Sequence, residues 1–123
     1  MCFLAVFRLR KAIDSFIFAK MLQDLGFSID IRGSVVEARR DRAMIRALID
    51  RDRVEVKTNK YGEECLKDYE DIVKGLIELD TKPEVVYFTS PYIYGYEKKR
   101  GKLKKLLKEL GLETEEVYSG LCG

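Results

Sequence analysis

Two stretches of the chain alternate strictly between apolar and polar residues. In Phe27–Arg32, Phe27, Ile29 and Ile31 alternate with Ser28, Asp30 and Arg32; in Arg53–Asn59, Val54, Val56 and Thr58 alternate with Arg53, Glu55 and Lys57. A period of two puts successive side chains on opposite faces of a strand, so both stretches predict strands with one buried and one wet face. Wet-faced strands belong to antiparallel sheets, because parallel sheets are covered on both sides and read as near-continuous apolar runs. Cys2–Leu9 is such an apolar run and predicts a buried first strand.

The segment Ser34–Asp52 carries two patterns at once. Read with period two, it gives strands over Val35–Arg40 and Ala43–Ile49, with Ala43, Ile45, Ala47 and Ile49 inward and a turn at Asp50–Asp52. Read with period 3.6, Ser34 and Glu37 match a capping box, and Arg42, Arg46 and Asp50 share one polar stripe. The helical reading leads to an alternating α/β three-layer fold. The half-exposed strands on either side favour the meander.

Helical periodicity is plainer elsewhere. Lys11–Gly26 predicts a helix ended by its glycine, with apolar residues around more of its circumference than one contact needs. Ile13, Phe16 and Ile17 lie on one side, Phe18, Met21 and Leu25 on another. An apolar side of that size is covered by another element or by a second copy. The expectation is a homodimer with Phe18 or Met21 near its centre. Tyr61–Asp80 predicts an amphipathic helix with Cys65, Leu66, Tyr69, Ile72, Val73, Leu76 and Ile77 on its core face and Glu63, Glu64, Asp68, Glu70, Asp71 and Glu78 facing solvent. Gly75 within it costs about 1 kcal/mol relative to alanine, which predicts close packing there. Glu84–Ser90 follows as a strand, Glu97–Leu110 as a helix and Thr114–Ser119 as an edge strand.

These elements predict an α+β fold for residues 1–123 as one domain. Its antiparallel sheet has one face packed by about three helices, in the order β-α-β-β-β-β-α-β-α-(β).

Composition narrows the chemistry. The chain has no histidine, which excludes Ser-His-Asp and Cys-His nucleophile systems and imidazole metal sites within it. Cys2, Cys65 and Cys122 are odd in number and form no CxxC, so neither a zinc knuckle nor a redox motif is present. They read as reduced thiols of a cytoplasmic protein. No signal-peptide pattern and no stretch long enough to span a membrane occurs. Few amide side chains among abundant Lys, Glu and Arg suggest a thermophile. No cofactor motif is present.

Two basic features stand out from the net charge of +2. Tyr92, Tyr94 and Tyr96 lie between a strand end and a helix start, and Lys98, Lys99, Arg100, Lys102 and Lys105 follow them. Aromatic faces that stack bases, beside cations that follow phosphates, are the means of holding single-stranded nucleic acid. Cations in a helix's first turn also oppose its dipole, so stability alone does not select them. The bland alternative is a loop edge and a solvated helix. The second feature is seven arginines from Arg32 to Arg53. On a meander Arg32, Arg39, Arg46 and Arg53 share the wet face, where they contact phosphate or form cross-strand ion pairs with the interspersed acids.

Glu55-Val56-Lys57 resembles the E-x-K half of the PD-(D/E)XK nucleases. That resemblance implies a carboxylate holding a divalent metal, a lysine assisting the attacking water, and an earlier acid such as Asp30 or Asp41. No "PD" precedes it. Glu84–Gly111 also resembles a strand–loop–helix unit of NYN-type ribonuclease domains, without acids at the ends of Val85–Thr89 or Phe3–Phe7 to match their metal ligands.

The function expected from the sequence is a non-enzymatic module for single-stranded nucleic acid or RNA. It uses the tyrosine-rich loop, the basic helix, Arg39 and Arg46. The alternatives are a homo-oligomeric structural or adaptor protein, and a metal-dependent nuclease.

Overall fold

A computed structural model describes residues 3–59 and 63–89, together with Lys105, Lys108 and Glu109. The described elements run β1 (Phe3–Arg8), α1 (Ser15–Asp24), β2 (Ser28–Arg32), β3 (Val35–Arg40), β4 (Ala43–Asp50), β5 (Arg53–Thr58), α2 (Glu63–Glu78) and β6 (Glu84–Thr89). The six strands form one sheet in the order β2-β3-β4-β5-β1-β6, and every pairing is antiparallel. The fold is mixed α+β.

The ambiguous segment is two strands, and no helix forms there. Its residues alternate between burial and exposure along β4 without a break, which no helix allows. Two-residue turns join β2 to β5, and the first residue of each is left-handed: Gly33 at φ 60°, Asp41 at 54° and Arg51 at 58°. Turns of this hand match the twist of the flanking strands. Glycine supplies that conformation freely at position 33, while Asp41 and Arg51 adopt it against the preference of an L side chain.

The main core lies on one side of the sheet, while Val6, beside Glu55 on the other face, is also buried. Ala5, Phe7, Val36, Ala38, Ile45, Ala47, Val54 and Val56 turn inward and are buried. They meet Phe18, Ala19 and Leu22 of α1 and Tyr69, Ile72, Val73 and Leu76 of α2. Both described helices lie on this face. Asp14 caps α1, its carboxylate accepting the Ile17 amide at 2.8 Å, so the helix starts later than its apolar pattern predicts. Buried Thr81 fastens the end of α2: its hydroxyl donates to the Leu76 carbonyl at 2.8 Å, and its own carbonyl accepts the Arg10 amide at 2.8 Å.

Three expectations change. Phe18 and Met21 are core, at 0% and 6% exposure, and the residues α1 leaves open are Phe16 at 69% and Ile17 at 42%. Ile77 leaves the core face of α2, being 40% exposed. Asp68 leaves the solvent face and is buried. The close packing expected at Gly75 is present, since a Cβ there would stand 2.8 Å from Cγ and Sδ of Met21. Of the third expected helix, Lys105, Lys108 and Glu109 are described, and they are helical and exposed. The expected last strand, Thr114–Ser119, lies outside the described residues.

Candidate nucleic-acid interface

The face of the sheet opposite the helices is built by the polar half of each alternation. Along β3 it carries Val35, Glu37 and Arg39, along β4 Met44, Arg46, Leu48 and Asp50, and along β5 Arg53, Glu55 and Lys57. Arg32, Arg39, Arg46 and Arg53 all fall on it and are exposed, as their spacing requires.

Register decides which of these side chains are neighbours. Glu37, Arg46 and Lys57 stand directly opposite one another across β3, β4 and β5, and Arg39 stands opposite Met44. Val35, Leu48 and Glu55 form the adjoining row. At one end Asn59 fixes the start of β4, its side-chain carbonyl accepting the Met44 amide at 2.7 Å and its amide donating to the Arg42 carbonyl at 3.2 Å. Met44 and its neighbour Arg39 therefore sit on a tied strand end.

The charges on this face are mixed. Asp30 is opposite Glu37, Arg46 opposite Lys57, and Arg8 opposite Arg53, while Glu37 also stands opposite Arg46 and Asp50 opposite Arg53. Like charges placed directly across a ladder each cost a few tenths of a kcal/mol or more. The acids near the sheet's ends are largely answered: Arg32 bonds Asp30 at 3.1 Å, Arg53 approaches Glu55 at 3.4 Å, and Arg8 pairs with Glu84. Among the described residues no ion pair engages Arg39, Arg46 or Lys57. Among the described residues, ion pairs engage Arg32 and Arg53 and do not include Arg39 or Arg46.

Arg40 behaves differently, because alternation turns it inward. Its guanidinium bonds the Leu25 carbonyl at 2.9 Å, Asp68 at 2.7 Å and Asp71 at 3.0 Å, and lies 4.2 Å from the centre of the Phe27 ring. Burial pulls its pKa down, and the hydrogen bonds to Asp68 and Asp71 more than offset that, holding it above the ordinary arginine value. This cluster joins β3 to both helices. The sequence reading missed it, although the alternation that faces Arg39 outward also faces Arg40 inward.

The remaining candidates separate. Lys105 is exposed on its helix, while Tyr92, Tyr94, Tyr96, Lys98, Lys99, Arg100 and Lys102 lie outside the described residues. Glu55 and Lys57 do share a face, but Asp30 lies three strands away, roughly 14 Å at the usual strand spacing. Asp41 sits in the β3–β4 turn. Among the described residues no three His, Cys, Asp or Glu side chains are grouped to hold a metal ion, and none of these residues gives the E-x-K pair a third group. No helix among the described residues is long and apolar enough to cross a membrane.

A second surface lies on the other side of the molecule. Phe16, Ile17, Lys20, Met21, Gly75 and Leu79 line a groove of about 580 Å³ between α1 and α2. Compared with known protein families, curated proteins and solved structures, the chain matches none.

Proposed function

We propose that this protein is a non-enzymatic nucleic-acid-binding module for single strands or RNA, with the open sheet face as its platform. One observation carries the reading: Arg46 and Lys57 stand directly opposite each other, beside Arg39, with no ion pair among the described residues. Guanidinium groups without an internal partner are free to fork onto phosphate oxygens. The stretch from Tyr92 to Lys105 adds stacking rings and further cations on sequence grounds. A titration of labelled single-stranded RNA and DNA and of duplex, at two salt concentrations, tests the proposal. Neutralising about four phosphates gives a slope near −3 for log K against log salt on a single strand. Absence of binding at low salt removes the proposal.

A second reading, a homo-oligomeric structural or adaptor role, is favoured by the α1 surface. Phe16 and Ile17 project beside a recess floored by Gly75, so one patch carries both a protrusion and a cavity to receive it. Lys20, Asp24 and Glu78 line the same recess and give it both signs of charge. A two-fold dimer needs such a self-complementary patch. Light scattering should give twice the 14.3 kDa chain mass, and Phe16→Glu should halve it; a monomer at all concentrations removes this reading.

A further inference from the structure

We infer that the sheet face divides its contacts, with Arg39, Arg46 and Lys57 taking phosphates and Met44 and Leu48 taking base faces, so that the ligand is single-stranded. The inference rests on the nucleic-acid reading above and adds the residues that choose among nucleic acids. On β4 the outward residues run Met44, Arg46, Leu48: apolar, cation, apolar. Met44 is 43% and Leu48 41% exposed, and Val35 stands directly across from Leu48. The other outward positions from Glu37 to Lys57 on β3, β4 and β5 are charged. The exceptions are therefore not scattered. They flank Arg46, which stands opposite Glu37 and forms no ion pair among the described residues, and Met44 stands opposite Arg39 on β3.

The ligand class follows from shape. A B-form major groove, about 12 Å wide, admits a helix or a two-stranded ribbon, and a sheet presented by its face is too broad to enter. Against a duplex such a face meets only sugars and phosphates, and Met44 and Leu48 would be pressed on charged backbone. A single strand offers unstacked bases, whose apolar faces bury side chains of this kind while its phosphates reach the cations. Flexible methionine adapts to any base, so recognition is tolerant of sequence.

The test compares single-stranded U-rich and A-rich RNA with an RNA duplex, using the full chain. The double variant Met44→Ser/Leu48→Ser should weaken single-strand binding about tenfold, from the apolar area it no longer buries. Its salt slope should stay as in the wild type. Lys57→Ala should do the reverse in kind, lowering the magnitude of the slope by about 0.7. The swap Met44→Leu/Leu48→Met keeps the apolar area and should keep the affinity, which separates lost contact from lost fold. If the serine variant binds single strands like the wild type, or loses duplex binding equally, the face binds phosphate alone. That result overturns the inference and leaves the nucleic-acid reading standing. Wild-type protein that binds no oligonucleotide at low salt removes both.

Discussion

Arg40 on β3 and Asp68 on α2, 28 residues apart in the chain, meet at 2.7 Å in the interior, with the Asp68 side chain 3% exposed. A charge buried to that depth is stable only while its partner stays. Replacing Arg40 with methionine should cost about 3 kcal/mol in urea denaturation, because it removes the cation that Asp68 and Asp71 share near the core. Adding Asp68→Asn should recover part of the loss, since it removes one of the two carboxylates that had shared that cation. The raised Arg40 pKa fixes the pH behaviour. A raised folded-state pKa contributes stability fully below the unfolded value and loses it only as pH rises through the folded one, here far into alkali. The difference between wild type and Arg40→Met should stay constant from about pH 7 to about pH 10.

Gly75 and Met21 should be energetically coupled. Alanine at position 75 gains helix propensity of about 1 kcal/mol but meets the Met21 thioether. Gly75→Ala alone should therefore be neutral or destabilising. Measured in a Met21→Ala background it should stabilise, and the double-mutant cycle should give an interaction of about 1 kcal/mol. Simple additivity would mean that Met21 moves aside without cost.

Arg51 holds a left-handed conformation at φ 58° in the β4–β5 turn. Arg51→Gly removes that strain, partly offset by glycine's freedom in the unfolded chain, and should raise stability by about 0.5–1 kcal/mol. Gly33→Ala, in the equivalent place of the β2–β3 turn, should lower stability by a similar amount. Thermal melts of the two variants check both signs.

The cationic centre of the sheet face should be separable from the tyrosine loop. Arg39→Ala/Arg46→Ala should lower the magnitude of the single-strand salt slope by about 1.4. Replacing Tyr92, Tyr94 and Tyr96 with alanine should weaken binding and leave the slope alone. If the arginine pair proves silent while the tyrosine variant loses binding, the interface lies away from the sheet.

The sequence by itself determined the strands on either side of Ser34–Asp52 and favoured two more within it. Alternation is a local property, so Ala43, Ile45, Ala47, Ile49, Val54 and Val56 were legible as inward residues of that meander, and Arg32, Arg39, Arg46 and Arg53 as outward ones. It also marked α1 as too apolar for a single contact and Gly75 as a packing point. Which side of α1 was in excess was not legible, because periodicity gives a helix's angular pattern and not its rotation against the sheet. The packing of α1 against the sheet and α2 decided that, burying Phe18 and Met21 and leaving Phe16 and Ile17 open. Asp68 was misread for a related reason: an acid on a helix counts as solvent-facing until some other element brings it a buried cation. Only register, set by the two-residue turns between β2 and β5, placed Arg46 beside Lys57 and Met44 beside Arg39. Cross-strand neighbours are fixed by how strands pair in space, and the order of residues along one strand carries no record of them.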